Sequence, residues 1–215
     1  MLKRNKKIIL LTASITLLPM LMGIALWNRL PEQVATHFDI NGVADDWSSK
    51  GFAVFGLPLF LLAVHLVCTL ATAADPRRQN ISDKMFRLVL WVCPVISLIT
   101  NCSVYLIALG KEVNIGLICM LLVGVMFIIV GNYLPKCRQN YTMGIKLPWT
   151  LADEENWNRT HRMAGWLWMA AGAVFLVVAV VGKMSTWFSL ATIGITVLVP
   201  TIYSFLLHLK KEKDE

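Results

Sequence analysis

The chain has 215 residues, 57% of them hydrophobic and only 15% charged, with a mean hydropathy of +0.63. These values exclude an ordinary soluble domain. The formal net charge of +7 would suit nucleic acid in a soluble protein, but in so apolar a chain it is the partition of charge between two faces of a membrane that carries information.

Charged residues cut the sequence into six long uncharged runs, 8–28, 51–74, 88–110, 113–135, 163–182 and 184–209. Each holds at least 20 residues, enough for a helix to cross the hydrocarbon core, which takes roughly 20. The predicted fold is an all-α integral membrane protein of six transmembrane helices. Two divisions are expected along the chain: a membrane hairpin over 1–80, and a four-helix region over 81–215 with a long loop at 136–162.

The first run follows Lys3, Arg4, Lys6 and Lys7 and resembles the start of a signal peptide. Its length and the absence of a small-residue cleavage site after Trp27 read instead as a retained span. The segments on the N-terminal side of the alternation carry 16 of the 20 Lys and Arg residues. The positive-inside rule therefore predicts that both termini are cytoplasmic. Arg29, Lys50, Lys111 and Lys183 fall on the other side, with Glu32, Asp39, Asp45, Asp46 and Glu112.

Between the first two spans, Val34, Thr36, Phe38 and Ile40 alternate with Ala35, His37 and Asp39 and lead into Asn41-Gly42. Period-two alternation ending at Asn-Gly predicts a small extracellular β-ribbon with a type I′ turn. His37, Asp39, Asp45 and Asp46 are donors that zinc accepts, but their spacing matches no metal motif, so the reading is a solvated ribbon with no metal and no cofactor. His37, Phe38, Asp45 and Asp46 are candidates for ligand contact. Spans two and three carry His65 and Asn101, polar groups expected to hydrogen-bond between helices. No Asp, Glu, Lys or Arg lies inside any run, which argues against a proton pump, an ion-coupled carrier or a voltage sensor. Pro19, Pro58, Pro94 and Pro200 are expected kinks.

Spans three and four, and five and six, join through very short turns around Lys111-Glu112 and Lys183. In the long loop, Pro148 keeps Leu147 extended and Thr150 can cap a helix starting near Leu151, with Asp153, Glu154 and Glu155 in its first turn. Glu155 and Arg159 pair at i,i+4, Trp157 and His161 share a face, and Trp149, Trp157 and Trp166 suit an interfacial belt. Lys146, Trp149, Glu155, Trp157 and His161 are candidates for partner contact. No HExxH or comparable spacing assigns these acids and His161 to catalysis. The cysteines, Cys68, Cys93, Cys102, Cys119 and Cys137, read as free thiols, with Cys102 and Cys119 at similar depth.

The stretch Gly110-Lys111-Glu112-Val113-Asn114-Ile115, then Gly131-Asn132 and Gly144-Ile145-Lys146-Leu147-Pro148-Trp149-Thr150-Leu151 with Glu154, Glu155 and Trp157, resembles the SdpI immunity family of bacterial membrane proteins. Leu30-Pro31, Val34, His37-Phe38, Gly42 and Asp45 resemble the N-terminal domain of unknown function that accompanies it. The resemblance implies a multi-pass protein of the bacterial plasma membrane that protects its producer from a secreted toxic peptide. It also implies signalling, through a cytoplasmic repressor held at the membrane without direct nucleic-acid binding by this chain. Lys146 departs from the Arg common in the family and lacks its bidentate geometry. The leading reading is thus a non-enzymatic immunity and signal-transduction protein. The rivals are a small transporter or intramembrane enzyme using His65, Asn101 and the loop acids, or a scaffold without a ligand.

Overall fold

A computed structural model describes residues 1–39, 42–182 and 185–214. Ile40, Asn41 and Lys183, to which the sequence assigns part of the ribbon and the last short turn, lie outside the described residues. Six helices are long and apolar enough to cross a membrane, and a two-stranded antiparallel sheet stands between the first two. The fold is that of a six-helix membrane protein with a small β-ribbon.

The chain groups into two compact units, one of Met1–Ala74 with Ser82–Ile115, the other of Asp75–Ile81 with Gly116–Glu215. This grouping differs from the sequence division at 80/81, because the third span packs with the first two. The first unit holds α1 (Lys6–Ala25), β1 (Gln33–Phe38), β2 (Ala44–Ser49), α2 (Leu57–Ala73) and α3 (Asp83–Ala108). Ser97 Oγ of α3 donates to the carbonyl of Thr16 in α1 at 2.8 Å, and Thr12 Oγ1 meets His65 Nε2 of α2 at 3.2 Å. Thr12, Thr16, His65, Ser97 and Asn101 are all buried, so three otherwise apolar helices meet along a polar seam. His65 makes the expected interhelical bond. Asn101 instead donates to Ser97 on its own helix, at 2.8 Å.

Ser82 starts α3, its hydroxyl accepting from the Met85 amide at 3.3 Å, as an N-cap should. Pro19, Pro94 and Pro200 lie inside helices. Pro58 falls in the first turn of α2, directly after a π-helical turn over Phe52–Gly56. A wider turn is one way in which a continuous helix absorbs a missing donor.

The ribbon departs from strict alternation. Its pairing shifts between Ala35 and Phe38, where a bulge interrupts the ladder, and Val34 and Ala35, just before the shift, are both buried. Its root joins a core of Leu30, Val34, Ala53, Val54, Val104 and Tyr105. Asp39 and Val43 form the closing pair, with the Asp39 amide donating to the Val43 carbonyl at 2.7 Å and Gly42 N donating back to Asp39 O at 2.9 Å. The Asp39 carboxylate takes the Val43 amide at 2.7 Å, and Gly42 has a positive φ of 79°, a conformation that glycine adopts without strain.

The second unit holds α4 (Ile115–Tyr133), the short α5 (Pro148–Ala152), α6 (Glu154–Val181) and α7 (Thr186–Asp214). Leu147 is extended before Pro148, with φ −106° and ψ 153°, as the proline requires. The long helix does not begin near Leu151 under a Thr150 cap. Thr150 lies within α5, and Asp153 caps α6 by accepting from Glu155 N at 2.8 Å and Asn156 N at 3.3 Å.

Close packing of α4 on α6 depends on four glycines spaced seven apart, Gly124 and Gly131 against Gly172 and Gly165. A Cβ on Gly131 would stand 2.8 Å from the Gly165 carbonyl oxygen, and one on Gly172 would stand 2.6 Å from that of Gly124. Bare backbones therefore touch at two levels two turns apart, although the sequence contains no GxxxG spacing.

Overpacking a close contact costs about 1–3 kcal/mol. Gly165→Val should lower the thermal midpoint in detergent by several degrees, and Gly131→Val likewise. Gly194→Ala, where a Cβ meets nothing within 4 Å, should leave the midpoint unchanged or raise it. Equal midpoints for all three variants would show that the glycine contacts do not hold the helices.

Candidate functional site

The segment between α4 and α6 has little secondary structure, so its backbone polar groups need side-chain partners. Buried side chains supply them. Asp75, placed by the end of α2, accepts from the Tyr141 amide at 2.9 Å and from the Thr142 hydroxyl. Its other oxygen takes the Arg77 amide at 2.7 Å. Asn140 is fully enclosed; its Oδ1 accepts from the amides of Thr142 at 2.9 Å and Met143 at 2.6 Å, while its Nδ2 donates to Arg138 O at 2.8 Å. Gln139 bridges Arg77 Nη1 at 2.6 Å and the Thr150 carbonyl at 2.7 Å, and Asn80 donates to the Gln139 carbonyl at 2.7 Å.

Trp157 and His161 close this knot from α6. The Trp157 indole donates to Cys137 O at 2.7 Å, and its ring stacks on His161 with centroids 4.0 Å apart. The Ile145 amide donates to His161 Nε2 at 2.9 Å, so that nitrogen is the acceptor and Nδ1 carries the proton, donated to Trp157 O at 2.8 Å. Two backbone groups thereby fix the tautomer and occupy both nitrogens. Gly144, at φ +101°, passes so close that a Cβ would collide with His161 Nε2 and stand 3.2 Å from the Trp157 ring. The glycine is needed for both its conformation and its missing side chain. Burial pushes the Cys137 thiol up to about 11, opposed by the Asn140 bond and assisted by the Asp75 charge, so it is a neutral thiol at physiological pH.

These positions change the reading of the candidates. Trp157 and His161 share a face as expected, but both are buried and hold the loop instead of presenting an exposed anchor or an interfacial belt. Trp149 is half-buried, its indole donating to Ser204 Oγ at 2.8 Å and its ring against Phe205 and His208. Lys146 is exposed and donates to Thr142 O at 3.2 Å. Glu155 is exposed and pairs with Arg159 at 3.3 Å. Burial alone would raise the Asp153 carboxyl; hydrogen bonds from Lys211 and from the Asn156 and Glu155 amides outweigh it and hold the group below its usual value.

On the ribbon, His37 Nδ1 and Asp45 Oδ1 are 2.6 Å apart and exposed, while Asp46 accepts from the Trp47 amide at 2.8 Å. Phe38 is half-buried against the ribbon core. Val43 and Trp47 are exposed apolar residues at 62% and 53%. Lys50 pairs with Glu32 at 2.8 Å and lies 4.8 Å over the Trp27 ring. Among the described residues, no group of three or more His, Cys, Asp or Glu is arranged to hold a metal.

The sequence reading missed Asp75, Arg77, Gln139 and Asn140, and took Thr150 for a helix cap instead of a residue that bonds the loop backbone. The available signals were an acid directly after a 24-residue uncharged run and a cluster of amide and hydroxyl residues in a long loop, types that bind their own backbone.

The resemblance drawn from the sequence is borne out by comparison with known proteins. Residues 136–204 match the SdpI/YfhL protein family, and residues 14–62 match a domain of unknown function, DUF1648. The chain is 27% identical over 201 residues to Immunity protein SdpI of Bacillus subtilis (strain 168), a similarity covering 91% of this chain and 93% of that protein. No solved structure matches the chain. The matched span 136–204 contains most of the loop knot, including Gly144, Trp157 and His161.

Two outcomes check this geometry. In a chain retaining Cys137 as its one cysteine, maleimide labelling in native membranes should be slow, and Trp157→Ala should accelerate it about tenfold or more by opening the loop. Unchanged labelling would remove the indole from the closure. On the ribbon, the bond and charge of Asp45 raise His37 above its ordinary 6.5. With its folded value raised, the pair's contribution is fully present below pH 6.5 and is lost as pH rises through the raised value. An NMR titration should find His37 above 6.5, and Asp45→Asn should bring it back down.

Proposed function

We propose that this chain is a membrane immunity protein that protects the producing bacterium from a secreted toxic peptide. The observation that carries the reading is the similarity to an immunity protein along nearly the whole length of both chains. On this reading the protein spans the plasma membrane with both termini in the cytoplasm, as the charge asymmetry of the sequence favours. The ribbon then faces outward, and the knot at 137–161 faces inward.

The division of labour follows from exposure. The ribbon is rooted by Val34 and Ala35 and offers Val43 and Trp47, flanked by Asp45 and Asp46, to an incoming peptide. An apolar tip with acids at its rim suits a cationic, amphipathic ligand. The knot is the output element, where a cytoplasmic repressor would dock against Lys146, Glu155 and the exposed part of Trp149. Because α6 carries Trp157 and His161 and continues as a span, a tilt of that span would move the loop they hold. The stacked pair supports a transmitting role for these two residues, with partner contact left to the exposed ones.

Expression in a toxin-sensitive strain lacking its own immunity gene tests the reading. The wild-type chain should restore growth in the presence of the toxic peptide. Trp47→Ala with Val43→Ser should reduce protection at unchanged membrane abundance, since both residues are exposed. Trp157→Ala should lower abundance and protection together, whereas Lys146→Gln should spare protection and weaken repressor recruitment. No protection by an abundant wild-type chain would reject the immunity reading. A reporter active only in the cytoplasm should work when fused after Asn140 and fail after Asn41; the opposite result would exchange the roles of ribbon and knot.

A further inference from the structure

Two adjoining grooves run along one face of α6 and α7. The first, of about 400 Å³, lies between Asp153, Glu155 and Arg159 of α6 and Leu207, Lys210 and Lys211 of α7. The second, of about 380 Å³, shares Arg159 and continues past Arg162 and Met163 to Trp166, opposite Tyr203. The lining follows helical spacing: Glu155, Arg159, Arg162 and Trp166 on one helix, Tyr203, Leu207 and Lys210 on the other.

The charges in these grooves are unequally matched. Asp153 already holds Lys211 at 3.1 Å, and Glu155 holds Arg159 at 3.3 Å. Arg162 and Lys210 are exposed and, among the described residues, make no ion pair. Among the described residues, the first groove thus keeps Lys210 and the second keeps Arg162 without an ionic partner, on either side of the shared Arg159. Their depth is informative. Arg162 directly precedes the uncharged run 163–182, and Lys210 directly follows the run 184–209, so both cations mark the same end of two antiparallel spans, where hydrocarbon gives way to headgroups. Trp166, 69% exposed, stands one helical turn further into the apolar run.

We infer that this face binds one anionic phospholipid, its phosphodiester held by Arg162 and Lys210 beside Arg159, with an acyl chain lying along Met163 and Trp166. Charge complementarity supplies the headgroup preference, since a basic pocket between spans at this depth is neutralised best by a lipid phosphate. Arg159 and Arg162 offer planar guanidinium groups suited to phosphate oxygens. The indole supplies the part of the site that a soluble phosphate or an acidic peptide would leave uncovered. The inference is independent of which side of the membrane this end faces.

The test is native mass spectrometry of the full chain released from vesicles of equal phosphatidylglycerol and phosphatidylcholine. The wild type should retain phosphatidylglycerol in preference to phosphatidylcholine. Arg162→Gln with Lys210→Gln should reduce that retention about tenfold, as expected if two charge-assisted contacts are lost, while Lys84→Gln with Arg87→Gln, an equal change of charge elsewhere, should not. Trp166→Ala should weaken retention of the lipid without creating affinity for glycerol 3-phosphate. Undiminished retention by the Arg162 and Lys210 double variant would overturn the proposal. So would displacement of the lipid by glycerol 3-phosphate or by an acidic peptide at micromolar concentration, because either shows that the site reads charge alone. A matching thermal midpoint for the double variant establishes that its fold is intact, and Arg162→Glu, which reverses the charge at an exposed position, must lose the lipid on the same grounds.

Discussion

A loop of more than a dozen residues between two long helices has amides and carbonyls that no helix or sheet can satisfy, and each one buried without a partner costs free energy comparable to a lost hydrogen bond. The chain meets this constraint with Asp75, Asn140, Thr150 and His161, each of which takes or gives bonds to loop backbone. Everything else in the second unit is arranged around that. Trp157 covers the knot and ties Cys137, Gly144 makes room for the His161 ring, and Asp153 starts α6 where the knot ends. Asp75 has two acceptor oxygens and so meets two loop donors and the Arg77 amide at once.

The same constraint acts differently within the spans. There, helices satisfy their own backbones, and what holds them together is close packing with a few polar contacts. The first unit uses the seam of Thr12, Thr16, His65 and Ser97. The second brings Gly124, Gly131, Gly165 and Gly172 into backbone contact, and Trp168 donates from α6 to the Thr196 carbonyl of α7 at 3.0 Å. These two solutions, hydroxyl seam and glycine contact, give the two units different interiors.

Functionally, the immunity reading places sensing and output in parts with opposite character. The ribbon is exposed, small and charged at its edge, with His37 and Asp45 joined in water. The knot is enclosed, its histidine bound on both nitrogens and its thiol neutral. A sensor must meet an outside ligand and so keeps apolar residues such as Trp47 in solvent. A transmitter must have a defined arrangement to pass on, which buried and fully bonded groups provide.

What the sequence by itself determined was whatever depends on local composition. Six spans follow from run length, the ribbon from a short alternating stretch near Asn-Gly, the extended Leu147 from Pro148, and the Glu155–Arg159 pair from helical spacing. The family resemblance was likewise legible, carried by the run from Gly144 to Leu151. Tertiary structure decided which polar and aromatic residues point inward. Trp157 looks from the sequence like an interfacial anchor, because nothing local distinguishes an indole facing headgroups from one donating to the carbonyl of Cys137, twenty residues earlier. Asp75 looks like an ordinary loop acid until Tyr141 and Thr142 are brought to it across more than sixty residues. The glycine contacts required α4 and α6 to be laid side by side, and the shift in pairing after Ala35 required the partner strand. In each case the deciding partner is distant in sequence, and hydrogen bonding and close contact are properties of the pair.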